Sequence, residues 1–130
     1  MDWTVEHIAL AARNTLALKD WYVHTLGAVS IAQINPSPPA FLMRLPGGLL
    51  MEVYQSQSAL DQTGDNGLAG WRHVALRVPD LTKARRHLEE KGVVFIDPVK
   101  PAGGGGQVLF FKDIEGNLLH LVERPIEWVL

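Results

Sequence analysis

Four side chains of metal-ligand type recur at matched places in this chain. His7-Ile8-Ala9-Leu10 returns 66 positions later as His73-Val74-Ala75-Leu76, and Gly48-Leu49-Leu50-Met51-Glu52 has its counterpart in Gly116-Asn117-Leu118-Leu119-His120, with His120 lying 68 positions after Glu52. Each half therefore carries one metal-competent residue early, His7 or His73, and one late, Glu52 or His120. Two half-sites of two ligands make one four-ligand site. A divalent ion held there would polarise a substrate oxygen, and a carboxylate such as Glu52 could move a proton beside it.

The elements that must position these residues are legible from patterning. Val5 to Ala11 reads as a strand, Asn14 or Thr15 caps a helix with Leu18, Trp21, Tyr22 and Leu26 on one face, and Gly27 ends it. Val29 to Ile34 is a strand, and Asn35-Pro36-Ser37-Pro38-Pro39 is expected to be a stiff loop. Phe41–Leu45 and Leu49–Tyr54 form a hairpin around Pro46-Gly47-Gly48. Gln55 to Gly70 reads as a surface linker, after which the pattern restarts. Arg72–Val78 is a strand, Asp80 caps a helix carrying Leu81, Ala84 and Leu88, and Gly92 stops it. Strands are expected at Val93–Ile96, Val108–Lys112 and Leu118–Glu123. The second half thus repeats the first as strand, helix and three strands.

Strand parity turns these elements into a site. Residues two apart share a face. Ile8 with Leu10, Val74 with Leu76, Met51 with Val53 and Leu119 with Leu121 are the couples that pack on helices, which leaves His7, His73, Glu52 and His120 on the faces opposite. By the same parity Glu123 falls on the helix side.

Composition narrows the function further. A chain of 130 residues with 47% hydrophobic and 20% charged content is the size of one ordinary domain, and two half-length repeats are expected to share a core. A net charge of −2 without a basic run argues for a small-molecule partner and against nucleic acid. With no cysteine, His and carboxylate are the available metal ligands. Met1-Asp2-Trp3-Thr4 does not read as a secretory signal and no apolar run suits a membrane span, so a cytoplasmic protein without a membrane partner is expected.

The arrangement resembles the vicinal oxygen chelate superfamily, which contains glyoxalase I, extradiol dioxygenases, methylmalonyl-CoA epimerase and the fosfomycin and bleomycin resistance proteins. The resemblance rests on His7-Ile8-Ala9-Leu10, Leu50-Met51-Glu52-Val53, His73-Val74-Ala75-Leu76 and Asp113-Ile114-Glu115-Gly116-Asn117-Leu118-Leu119-His120-Leu121. The last stretch is similar to the family's Asp-Pro-Asp-Gly turn and final strand, with Ile114 where proline is usual. It implies an α+β fold of two βαβββ modules, 1–66 and 67–130, forming one curved sheet around a metal cup in a single glyoxalase-like domain, in a homodimer. The ligand set it implies is His7, Glu52, His73 and His120.

One departure shapes the chemistry. The family's final-strand ligand is usually Glu, and here it is His120, which leaves one anionic ligand and favours Zn, Ni or Fe(II) over Mg. It also leaves Glu52 as the carboxylate of the set that could act as general base. The resemblance then implies a metal-dependent lyase or isomerase of the glyoxalase type acting on a small oxygen-chelating substrate. A ring-cleaving dioxygenase is an alternative, although His120 would fill a position that O₂ chemistry wants open. A drug-binding protein of the bleomycin-resistance type, without catalysis, is the other.

Further residues have two readings. Arg44, Lys112 and Arg77 could pair with a substrate carboxylate or be plain exposed charges. Tyr54 and Trp71 could line a pocket or fill the core, and Gly103–Gly106 is a flexible hairpin loop near the cup mouth. His24 and His87, on helices, read as solvated.

Overall fold

The computed structural model describes residues 1–59 and 62–125, divided between two units, Met1–Asp61 and Gln62–Leu130. The first unit runs β1 (His7–Ala12), α1 (Thr15–Leu26), β2 (Val29–Pro36), β3 (Pro39–Arg44) and β4 (Leu50–Gln55). The second runs β5 (His73–Arg77), α2 (Leu81–Glu90), β6 (Lys100–Pro101), β7 (Gln107–Lys112) and β8 (Leu118–Glu123). This is α+β structure in two βαβββ modules. Each unit has its own four-stranded mixed sheet, ordered β1-β4-β3-β2 and β5-β8-β7-β6.

The helices start and stop where local chemistry requires. Asn14 and Asp80 are the N-caps, their side-chain oxygens accepting from the Ala17 and Lys83 N–H groups at 3.0 Å each. Gly27 sits in the left-handed region with φ 72°. Gly92, one residue past the α2 cap, does the same with φ 96°, and the Val93 N–H then reaches back to the Leu88 carbonyl at 3.0 Å.

Burial follows the alternation expected of the strands. α1 packs on β3 and β4 and buries Thr15, Leu18, Tyr22 and Thr25, while Met43, Met51 and Val53 are fully buried. α2 packs on β8 and β7, and Leu109, Phe111, Leu119 and Leu121 are buried. Each Leu, Met, Val or Phe side chain among these contributes about 1.5–3 kcal/mol on leaving water. The helix-facing couples are therefore held firmly enough to set strand register. A one-residue slip would turn every one of them outward.

Three expectations are corrected. Asn35 to Pro39 is not a loop but the tip of the β2–β3 hairpin, with Pro36 paired to Pro39. Pro36 fits because it ends the edge strand β2, and Pro39 because it is the first residue of β3, positions where a missing N–H costs little. Val93–Ile96 is not a strand, although it keeps a strand's alternation: Val93 is buried, while Val94 and Ile96 are 75% and 81% exposed. Asp97-Pro98 follows, Pro98 has no N–H to offer, and pairing is delayed to Lys100–Pro101. Tyr54 and Trp71 are both exposed and fill no core.

Candidate metal centre

In both units the early histidine and the late ligand are brought to adjacent strands by the same register. β1 and β4 run parallel with Ala9 opposite Glu52, and β5 and β8 run parallel with Ala75 opposite His120. Each early histidine lies two residues before that alanine, on the same face and diagonal to the second ligand. The offset of the repeat is thus reproduced in three dimensions within each unit.

In the first unit, His7 Nε2 lies 3.4 Å from Glu52 Oε2, both side chains partly exposed. Two ligand atoms each about 2.1 Å from a tetrahedral ion stand about 3.4 Å apart, so this pair fits one metal without rearrangement. His7 Nδ1 is 2.8 Å from Glu6 Oε1. A carboxylate only accepts, which puts the imidazole proton on Nδ1 and leaves Nε2 as the donor atom.

The second unit does the same with different partners. His73 Nδ1 donates to Asn66 Oδ1 at 2.8 Å and His120 Nδ1 to the Leu121 carbonyl at 3.1 Å. All three imidazoles are thereby set to present Nε2. The His73 and His120 rings lie with centroids 4.6 Å apart, close to the roughly 4.6–5.3 Å that two imidazoles on one ion adopt. Phe110 completes the cluster, its ring 4.8 Å from His120 and 5.7 Å from His73. His120 is only 6% exposed. Burial pushes its pKa below the ordinary imidazole value; the Leu121 hydrogen bond opposes this, and the nearby charges of His73 and Arg124 add to it. A neutral imidazole is the form that can ligate.

Among the described residues no group of three or more His, Asp or Glu side chains stands close enough to share an ion. The structure brings His7 together with Glu52 and His73 together with His120. Glu123 lies on the helix side of β8, as parity requires, and its Oε2 accepts from the Leu81 N–H at 2.7 Å. His24 and His87 are exposed on their helices. Gly103–Gly106, read as a flexible loop, is pinned instead, with Arg124 Nη1 donating to the Gly103 and Gly105 carbonyls at 2.5 and 2.7 Å.

Sequence reading missed the groups that orient the imidazoles. Glu6 is a chain neighbour of His7 and could have been found by asking which acceptor lies beside each histidine. Asn66 comes from the segment read as a linker, and the Leu121 carbonyl carries no side-chain signal. Phe110 was within reach, because it falls opposite His120 in the β7–β8 ladder.

Comparison with known proteins agrees with this architecture. A family model described as the Glyoxalase/Bleomycin resistance protein/Dioxygenase superfamily matches residues 4–121. An uncharacterized protein of Bacillus subtilis (strain 168), YwkD, is 27% identical over 128 residues, covering 93% of this chain and 97% of its own. A glyoxalase family protein from Enterococcus faecalis superposes with a TM-score of 0.75 at 26% identity, over 92% of this chain and 97% of that one. A mutant of the fosfomycin resistance protein FosX from Listeria monocytogenes, solved with Mn(II) and 1S,2S-dihydroxypropylphosphonic acid, gives 0.73 at 17% identity, over 98% and 94%. At that identity the likeness is one of fold alone. Together with the paired βαβββ modules, the family match over most of the chain shows that this protein belongs to the Glyoxalase/Bleomycin resistance protein/Dioxygenase superfamily.

Proposed function

We propose that the protein is a metal-dependent lyase or isomerase whose single site takes His7 and Glu52 from residues 1–66 and His73 and His120 from residues 67–130. The observation that carries this reading is that each of the three imidazoles has Nδ1 within hydrogen-bond reach of an oxygen acceptor, an arrangement that favours Nε2 as the ligating nitrogen. Three imidazoles with one carboxylate suit Zn, Ni or Fe(II). When bound, such an ion supplies charge stabilisation to an oxygen of a small substrate that chelates through two neighbouring oxygens. Glu52 is the proton carrier in this reading. With Oε2 turned toward His7, Oε1 would take a proton from the carbon beside that substrate oxygen and return it. Glu6 and Asn66 hold the histidine rings in orientation and keep their protons off Nε2.

The test joins metal analysis to turnover. Protein purified without chelators is expected to hold about one ion per site and His73→Ala to lose most of it. Glu52→Gln is expected to keep the fold and much of the metal while turnover of a 2-oxoaldehyde with glutathione falls roughly 10²- to 10⁴-fold. A protein that binds no ion, or a Glu52→Gln variant as active as the parent, overturns the corresponding part of the reading. Metal-free ligand binding without turnover would instead favour sequestration.

A further inference from the structure

The chain has four asparagines, and their surroundings sort them. Asn35 precedes Pro36, whose nitrogen carries no hydrogen. Asn14 is the α1 N-cap, its Oδ1 on the Ala17 N–H, and the β-branched Thr15 follows it. Asn117 gives its side-chain amide to Asp113 Oδ2 at 2.9 Å and accepts from the Thr63 hydroxyl at 3.0 Å. Asn66 alone precedes a glycine, in the exposed segment Asp65-Asn66-Gly67. That dipeptide has a chemistry of its own. With no Cβ on the next residue to crowd the approach, the following backbone nitrogen can close on the asparagine Cγ and form a cyclic imide.

The loop places groups at both ends of that reaction. The Gly67 N–H donates to Asp65 Oδ1 at 2.9 Å, so a carboxylate stands where the attacking nitrogen's proton must go. His73 Nδ1 lies 2.8 Å from Asn66 Oδ1, the oxygen on which negative charge develops when Cγ is attacked. Asp65 is itself held, its N–H on the Gln62 carbonyl at 3.0 Å and its carbonyl accepting from Arg72 Nη1 at 2.9 Å.

We propose that Asn66 is a self-modifying site, at which the Gly67 nitrogen displaces the side-chain amide and the loop ends as aspartate or isoaspartate beside His73. The bond from Gly67 N to Asn66 Cγ forms and the Cγ–Nδ2 bond breaks. Nδ2 leaves as ammonia, taking up the proton that the Gly67 nitrogen gives up. Water then opens the imide. Attack at Cγ restores the ordinary chain as aspartate, and attack at the Asn66 main-chain carbonyl carbon leaves the chain running through Cγ as isoaspartate. The aspartate product sets a carboxylate where His73 now meets an amide. His7 already has such a partner, since Glu6 Oε1 lies 2.8 Å from its Nδ1. A carboxylate behind a ligating imidazole makes it a stronger metal ligand. That consequence rests on the metalloenzyme reading above, whereas the modification itself does not.

Freshly purified full chain would be held at mildly alkaline pH and body temperature, and its asparagine peptides followed by mass spectrometry with isoaspartyl methyltransferase labelling. Asn66 is expected to convert from amide to acid while Asn14, Asn35 and Asn117 stay amides. Gly67 has no left-handed φ, so alanine fits its backbone, and the added Cβ would stand 3.2 Å from Asp65 Oδ1. Gly67→Ala is expected to slow the conversion roughly tenfold or more. An Asn66 that stays an amide, faster conversion at another asparagine, or equal rates in parent and Gly67→Ala overturns the proposal. Zinc titration of the parent and Asn66→Asp tests the consequence, with about tenfold tighter binding expected in the variant. Conversion with zinc binding unmoved by Asn66→Asp would leave the modification standing and remove His73 from the metal reading. A zinc-loaded protein whose Asn66 never converts would do the reverse.

Discussion

At the scale of single residues, the histidines are defined as much by what holds their protons as by where they sit. His120 is the clearest case, because burial lowers its pKa in the folded chain. A lowered imidazole pKa means that the unfolded chain takes up a proton first as pH falls, so the contribution of neutral His120 is present above about pH 6.5, the ordinary imidazole value. It is lost as pH drops through the folded pKa. For EDTA-treated protein, the urea midpoint is therefore expected to fall between neutral and mildly acidic pH, and His120→Gln to flatten that fall. An equal fall in both proteins would show that other groups carry the acid sensitivity. Strand parity was enough to place His120 and Glu123 on opposite faces, since alternation is local geometry. The partners Asn66 and the Leu121 carbonyl were not legible, because a hydrogen bond across a loop depends on where the chain returns.

At the scale of elements, α2 and β8 are locked together by one carboxylate from each side of the helix start. Asp80 caps the Lys83 N–H and Glu123 reaches the Leu81 N–H from the neighbouring strand. Asp80→Ala is expected to cost about 1 kcal/mol in chemical denaturation. Glu123→Ala is expected to cost about as much while leaving metal content unchanged, since its side chain serves the helix. Loss of metal in Glu123→Ala would reverse the register proposed for the site. The glycine loop gives a sharper test. At Gly106, φ is 91° and an added Cβ would collide with the Glu123 carbonyl oxygen. Gly106→Ala is therefore expected to destabilise by more than the roughly 1–2 kcal/mol of left-handed backbone alone. The strand expected at Val93–Ile96 failed for a related reason: apolar alternation signals burial on one face, but only a partner with spare donors and acceptors makes a strand.

At the scale of the whole molecule, the proposed site predicts coupling between the two units. If His7 and His73 serve one ion, His7→Ala and His73→Ala should each remove most of the metal, and the double variant should lose little more than either alone. Independent, additive losses of two ions would mean two separate sites. Among the described residues no helix is long and apolar enough to cross a membrane, and the net charge of −2 reflects mixed signs rather than a basic patch. What the sequence by itself determined is the repeat, the helix caps and the face on which each candidate ligand lies. All of these follow from period and parity, which act over a few residues. Tertiary structure alone decided the rest: that Asn66 meets His73 and that Arg124 holds the glycine loop. Those contacts join residues up to tens of positions apart, and their distances are set by how strands pair and pack. No local preference encodes that pairing.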